Sequence, residues 1–165
     1  MVTDPPRERP TARVLLIDDH DRILLMKGRL PSRRDGPGAW FTVGGGLEPG
    51  EGVREAAARE ILEETGIADF DVGPLVAVRE GVMLLADDEP VLMKESYLVA
   101  RCPGGEPVRH GWQPDEHDLI DDIRWWTHAE LAATDERVFP PGLADLMGDV
   151  IAGRFPEAPI VISWR

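Results

Sequence analysis

The chain has 165 residues, 42% hydrophobic and 30% charged, which is typical of one globular domain. Its formal net charge of −13 repels phosphate backbones, so the charge argues against binding of long nucleic acids. No apolar run approaches the roughly 20 residues of a membrane helix. The single cysteine, Cys102, excludes an internal disulfide, which is typical of proteins from a reducing compartment. A cytoplasmic protein is therefore expected.

The first predicted elements are a flexible lead and a β-hairpin. Residues 1–10 are polar and proline-rich, which predicts a flexible N-terminal lead before a single domain at 11–165. Two apolar runs within 12–27 flank Asp18-Asp19-His20-Asp21, whose side chains favour a tight turn, and so predict a hairpin.

Further elements follow in chain order. They are a polar loop at 29–38, a strand at 40–43, a helix at 53–65, strands within 69–85 and 91–101, a loop at 103–116, a strand at 120–126, short helices at 128–133 and 141–153, and a last strand within 159–164. Strands stand before, between and after the helices without regular alternation. This order predicts an α+β fold, an α/β/α sandwich with a mixed sheet, rather than a doubly wound parallel sheet.

The clearest helix is predicted at 53–65, because this run is rich in Ala, Glu, Arg and Leu and contains no Pro or Gly. Gly66 follows it as a candidate C-cap. Ala58, Ile61 and Leu62 lie on one face of this helix. We therefore expect the helix to pack this apolar face on a sheet and to present its acidic face outward.

Glu60, Glu63 and Glu64 share the acidic face, at about 100° per residue. Like charges so close destabilise an isolated helix, and the macrodipole disfavours anions near its C-terminal end. Hard cations such as Mg²⁺ or Mn²⁺ would remove this conflict, since they prefer carboxylate oxygens and leave positions open for phosphate and water. Arg59 can reach Glu63 and Glu51 and would orient these carboxylates. The alternative is a solvated acidic face without function.

Residues 45–67 resemble the Nudix box, G-x5-E-x7-R-E-U-x-E-E-x-G-U with U a bulky aliphatic residue, at every fixed position. A weaker resemblance extends to Ile123-Arg124-Trp125-Trp126 and Glu130-Leu131, which are similar to the family's late strand and short helix. The resemblance implies a Nudix-like fold and a metal-dependent pyrophosphohydrolase. Metal-bound water would attack a phosphorus of a nucleoside-diphosphate-linked small molecule, with Mg²⁺ or Mn²⁺ as the cofactor.

The resemblance also implies roles for individual residues. Glu63 and Glu64 stand where the family has its principal metal ligands. Glu60 stands where members have a further ligand or the base that activates water. Arg59 resembles the arginine that supports these carboxylates, and Gly45 sits where the family often offers a backbone carbonyl to a metal.

Four polar residues outside the box are candidates for contact with substrate. Lys27 ends the second strand, and Arg29 and Arg34 lie in the following loop, where they could grip a terminal phosphate. Glu116 lies in the loop before the strand at 120–126, a region from which similar proteins sometimes supply a further metal ligand or base. The alternative for each of them is a solvated loop group.

Tryptophans offer candidates for stacking on a base. Trp40, Trp125 and Trp126 lie on predicted strands, where aromatic side chains are more often core. Adjacent residues of a strand face opposite sides, so at most one of Trp125 and Trp126 can line a site while the other is core.

Three functional interpretations stay open: an active hydrolase, a catalytically silent nucleotide-sensing or regulatory domain of the same fold, and an acidic interaction domain. All carboxylates of the box are present, which favours activity. The substrate is left open. The proline of ADP-ribose-type members is absent where Gly81-Val82-Met83-Leu84 stands, and the tyrosine of dinucleoside-polyphosphate types is missing too. A small nucleotide is expected because of the acidic charge, and the resemblance leaves a homodimer open.

Overall fold

The architecture is a mixed sheet with helices on both faces, seen in a computed structural model that describes residues 3–29, 36–85, 87–108 and 119–164. The strands are β1 (Arg7–Ile17), β2 (Ile23–Gly28), β3 (Ala39–Gly46), β4 (Asp71–Leu84), β5 (Pro90–Arg101), β6 (Ile120–Trp126), β7 (Val138–Phe139) and β8 (Ile160–Ile162). The helices are α1 (Val53–Thr65), α2 (His128–Ala133) and α3 (Leu143–Ile151). Within these residues, no helix is long and apolar enough to cross a lipid bilayer.

The sheet runs in the order β6-β2-β3-β1-β5-β4-β8, with β7 paired to β3. β1 is antiparallel to β3 and to the first residue of β2, as the predicted hairpin requires, and parallel to β5. β4 and β5 form a long antiparallel pair. Parallel and antiparallel pairings thus occur in one sheet, which confirms the predicted mixed α+β class.

β1 begins at Arg7, inside the stretch 1–10 that the sequence predicts as a flexible lead. Residues 7–10 pair with residues 91–94 of β5, so this part of the predicted lead is strand. These four residues are exposed. Their position is determined by backbone hydrogen bonds to a distant strand, and such pairing leaves no apolar pattern in the local sequence.

Both faces of the sheet are buried, and the alternation along β1 shows how. Ala12, Val14 and Leu16 pack in the core under α1. Leu15 and Ile17 point to the opposite face, where α2 and α3 cover a second core. The predicted α/β/α sandwich is therefore present, and the near-continuous apolar run of β1 reflects burial on two sides.

Helix α1 occupies the predicted range and ends at Gly66, whose φ of 71° is the left-handed cap conformation. Its inward face differs from the prediction. Glu60 and Glu64 are buried beside Ile61, whereas Leu62 is 51% exposed. The expectations that Leu62 packs on the sheet and that all three carboxylates point outward are therefore wrong. The apolar periodicity misses this because two acidic residues take inward positions.

The inward face of α1 yields a stability prediction. Ile61→Ala removes a side chain that is 0% exposed and should lower the free energy of unfolding by about 2–5 kcal/mol. Leu62→Ala is the matched control on the same turn, and its change should stay within about 0.5 kcal/mol, because surface substitutions rarely do more. Urea unfolding of the two variants measures both quantities. Equal losses would contradict the orientation of α1.

Candidate active site

The end of β3 is built from glycines, and this lets α1 approach the strand closely. Gly44 has a φ of 143°, and a Cβ there would overlap the carbonyl oxygen of Ala12. A Cβ on Gly45 would lie 2.5 Å from Oε1 of Glu60. Side chains are therefore excluded here, and the glycines of the motif provide the space that the Glu60 carboxylate occupies.

Glu60 and Glu64 form a buried pair of carboxyl groups, each with 8% of its surface exposed. The backbone N–H of Gly44 donates to Oε2 of Glu64 over 3.2 Å. Burial, together with the negative charge of Glu60 and a hydrogen bond with it, raises the pKa of Glu64 well above its ordinary value. Two acids in this position resist being ionised together, which is the electrostatic character of a site that receives a cation.

Arg59 donates hydrogen bonds to three carboxylates and one backbone carbonyl of the cluster. Its Nε and Nη2 donate to the two carboxylate oxygens of Glu51 at 2.8 and 2.9 Å, a bidentate pair. Its Nη1 donates to Glu60 at 3.0 Å and to Glu63 at 3.1 Å, and Nη2 also donates to the carbonyl of Gly46 at 3.0 Å. Hydrogen bonds from Arg59, and then from a backbone N–H, lower the pKa of Glu51 to about 2.

The donor chemistry of this cluster suits a hard divalent cation. Glu60, Glu63 and Glu64 supply carboxylate oxygens, and the side chain of Glu63 is 45% exposed and accessible to a phosphate. Arg59 bridges Glu60 and Glu63, and in the described ranges no three acidic, His or Cys side chains converge in a ready-made metal shell. The fit therefore rests on the buried acid pair, whose crowded negative charge a divalent cation would neutralise.

Two of the predicted phosphate contacts already have acidic partners. Nζ of Lys27 lies 2.8 Å from Oε1 of Glu136, and Nη2 of Arg29 lies 3.1 Å from Oδ1 of Asp121. The other two candidates, at positions 34 and 116, lie outside the described residues, so the interpretations placed on Arg34 and Glu116 stay predictions.

The tryptophans divide between core and surface. Trp40 and Trp126 are 2% and 1% exposed and meet edge to face, with ring centroids 5.0 Å apart. The core interpretation is confirmed for both. Trp125 packs with the other core, on the α1 face, and its indole N–H donates to the carbonyl of Gly105 over 2.8 Å. The two adjacent tryptophans do face opposite sides of the sheet, as predicted.

One polar network beside the site is absent from the sequence-based candidates. Arg13 donates from Nη1 to the carbonyl of Gly44 and from Nε to Glu95, both over 3.3 Å. Glu95 is 7% exposed and also accepts from Arg79 at 3.1 Å and from the Tyr97 hydroxyl at 3.3 Å. The signal in the sequence is a charged residue in the middle of a strand that is otherwise largely apolar, which calls for a buried partner.

The sequence matches the NUDIX domain family over residues 7–146, a range that contains the whole cluster. The chain belongs to the NUDIX family. The family match begins at Arg7, where β1 begins, and extends into α3. The Nudix box of this domain is the segment 45–67, with its glycine turn and its acidic helix.

This Nudix domain is similar to several known proteins and to a solved structure. It is 37% identical over 138 residues to the RNA pyrophosphohydrolase of Legionella pneumophila, covering 84% of this chain and 64% of that protein. It is 36% identical over 102 residues to Nudix hydrolase 25 of Arabidopsis thaliana, covering 62% and 51%. The chain thus matches 51% to 64% of the length of these two relatives. The MutT Nudix hydrolase of Burkholderia pseudomallei superposes with a TM-score of 0.59 at 25% identity, covering 84% of this chain and 95% of that one.

The buried acid pair makes the stability of the metal-free protein depend on pH. Because the folded-state pKa of Glu64 lies above its unfolded value near 4.5, the folded state binds the extra proton. Stability should therefore fall as pH rises from that value through the raised one. Glu64→Gln cannot ionise and keeps an acceptor for the Gly44 N–H. In the presence of a chelator, the free energy of unfolding of Glu64→Gln relative to that of the wild type should therefore be larger at pH 8 than at pH 5.

Urea unfolding at the two pH values measures this difference. Glu55→Gln, at an exposed position in the first turn of the same helix, is the control and should follow the wild type at both. A stability difference between Glu64→Gln and wild type that does not change with pH would contradict the raised pKa.

Proposed function

We propose that this chain is a metal-dependent pyrophosphohydrolase that cleaves a phosphoric anhydride bond in a nucleotide-like small molecule by attack of water on phosphorus. The observation that carries the proposal is the buried pair Glu60 and Glu64, packed on the glycine end of β3 inside a complete Nudix box. Membership of the family supports it, as do relatives that are named as hydrolases.

In this proposal Glu60, Glu63 and Glu64, with the carbonyl of Gly45, would hold Mg²⁺ or Mn²⁺. When bound, the cation lowers the pKa of a water molecule and neutralises charge on the phosphates. A protein with a net charge of −13 needs such a cation between itself and a polyphosphate, because the two would otherwise repel each other.

The protein groups orient the reacting atoms. The Gly44 N–H fixes one oxygen of Glu64, and Arg59 fixes Glu60 and Glu63 from one guanidinium. Glu60 is confined by the Gly45 backbone. In this proposal it would also accept the proton of the attacking water. Arg59 acts as a positioning residue: its own proton is held too firmly to be transferred, because hydrogen bonds to Glu51 raise its pKa.

Lys27 and Arg29 are the proposed contacts for the rest of the substrate. Their side chains are 33% and 29% exposed, and each must leave its acidic partner before it can bind a phosphate. Opening such a partly exposed ion pair costs only about 0–1 kcal/mol, so the pairs do not prevent this role. Glu136 and Asp121 would then return to solvent.

The preferred substrate class is a small nucleotide with a phosphate chain. The relative from Legionella pneumophila is named an RNA pyrophosphohydrolase, so a 5′-phosphorylated RNA end is the competing source of the same chemistry. The net charge of −13 favours the free nucleotide, because long RNA adds phosphates that an acidic surface repels.

A substrate panel tests this proposal. It contains nucleoside triphosphates, nucleotide sugars, ADP-ribose, dinucleoside polyphosphates, coenzymes and a short 5′-triphosphorylated RNA, each with Mg²⁺, with Mn²⁺ and with a chelator. We expect phosphate or pyrophosphate release that requires the metal. Silence across the panel, together with intact Mn²⁺ binding, would favour a nucleotide-sensing domain instead.

Mutation should distinguish the carboxylates of the cluster from another acidic residue of the same helix. Glu63→Gln and Glu64→Gln should each lower kcat at least about a hundredfold on the best panel substrate while the circular dichroism spectrum stays unchanged. Glu55→Gln lies on the same helix outside the cluster and should keep wild-type kcat. Near-wild-type turnover by both cluster variants would refute the assignment of these residues.

A further inference from the structure

Arg9 stands apart from the other basic side chains of this acidic protein. Every other lysine or arginine in the described part of the chain has a carboxylate, a backbone carbonyl or an aromatic ring as its partner. Arg9 has no such partner among the same residues. The chain carries 31 acidic residues against 18 basic ones, so an unpaired guanidinium is the exception here.

The position of Arg9 is next to the candidate active site. It lies on β1 two residues before Thr11, which pairs with Gly46 at the end of β3. Its Nε lies 3.3 Å from the point that a Cβ of Gly46 would occupy. The carbonyl of the same Gly46 accepts from Arg59. Arg9 and the Arg59 cluster therefore approach the glycine strand end together.

The charges around Arg9 are mostly of its own sign. Arg9 is an exposed residue, but the protein atoms around its guanidinium lower its pKa by desolvation. The neighbouring cations Arg13 and Arg7 lower this pKa further, and the charge of Glu60 opposes them. Arg13 is already bound to Glu95, and Arg7 lies 3.6 Å from Glu89. Among the residues that the structure describes, no carboxylate lies within ion-pair distance of Arg9, so an external anion is the group that would complete this surface.

The chemistry of the site indicates that this anion is a phosphate. A guanidinium offers several N–H donors in a planar fork that matches phosphate oxygens bidentately. The carboxylates of α1 contact β3 at Gly44 and Gly45. In the proposed function they would act at the phosphates of the bond that breaks. Arg9 adjoins Gly46, further along the strand, and would meet a phosphate beyond that bond.

We propose that Arg9 binds the terminal phosphate of a triphosphate chain whose inner phosphates lie at the Glu60–Glu64 pair. The inference rests on the proposed function and narrows it to substrates with a free phosphoryl end. A nucleoside triphosphate and the 5′ end of a triphosphorylated RNA share this chemistry. A nucleotide sugar lacks it, because both of its phosphates are esterified.

Steady-state kinetics of Arg9→Ala, Arg9→Lys and the control Arg7→Ala test the proposal. For a nucleoside triphosphate with Mg²⁺, Arg9→Ala should raise KM about tenfold or more with little change in kcat. Loss of one hydrogen-bonded contact between charged groups weakens binding by about this factor. Arg9→Lys should recover part of the loss, because it keeps the charge and loses the fork. Arg7→Ala has the same charge change on the same strand and should match wild type. The KM for a nucleotide sugar should not change in any variant.

Three outcomes overturn the proposal: a KM that is unchanged in Arg9→Ala for both the nucleoside triphosphate and the triphosphorylated RNA, equal rises in Arg9→Ala and Arg7→Ala, or equal rises for the triphosphate and the nucleotide sugar. A parallel assay with 5′-triphosphorylated RNA shows whether the triphosphate group comes from RNA or from a free nucleotide. A KM shift for RNA alone, for the free nucleotide alone, or for both supports the proposal and names the physiological form.

Calorimetric binding of inorganic tripolyphosphate separates this proposal from the proposed function. If the wild type shows no metal-dependent turnover, the proposed hydrolase fails, yet binding still reports on Arg9. Affinity lost in Arg9→Ala and kept in Arg7→Ala supports the phosphate site. Equal affinity in both variants, or no binding to the wild type, overturns it.

Discussion

Two carboxyl groups, those of Glu60 and Glu64, are packed against a strand end that has no side chains, and each is less than a tenth exposed. Burial of a pair of acids disfavours their common ionisation. The arrangement persists because the protein surrounds it with donors: the N–H of Gly44 on one acid and the guanidinium of Arg59 on the other. The glycines, the helix and the arginine of the Nudix box together hold this pair in place.

The fold holds that pair from two sides. On one face α1 is anchored by Ile61 in the core, and on the other β1 presents Arg13, which binds the carbonyl of Gly44. The backbone of Gly44 is therefore held on both sides: its carbonyl oxygen accepts from Arg13 and its N–H donates to Glu64. β1 lies between β3 and β5 in the sheet, so the site is attached to its centre rather than to an edge.

The sequence predicts most of the local elements, although neither β7 nor residues 7–10 of β1, and it does not predict the direction of the key side chains. Helix propensity and Gly66 gave the range of α1, but apolar periodicity placed Leu62 inside and Glu64 outside, the reverse of what the structure has. The glycines of β3 leave the space that Glu60 occupies, and they lie on a different element, so the helix sequence alone does not reveal this direction. The same limit applies to residues 7–10, ordered by a strand more than eighty residues away, and to Lys27, whose acidic partner Glu136 is 109 residues distant.

We propose that the buried pair is a cation site, and that the raised pKa of Glu64 makes binding of the cation displace a proton. Calorimetric titration of the wild type with Mn²⁺ at pH 7, in two buffers of different ionisation enthalpy, tests it most directly. We expect tight binding whose heat differs between the buffers, because a proton leaves the pair. We also expect Glu64→Gln to lose both the affinity and the buffer dependence. Binding with the same heat in both buffers, or equal affinity in Glu64→Gln, would contradict it.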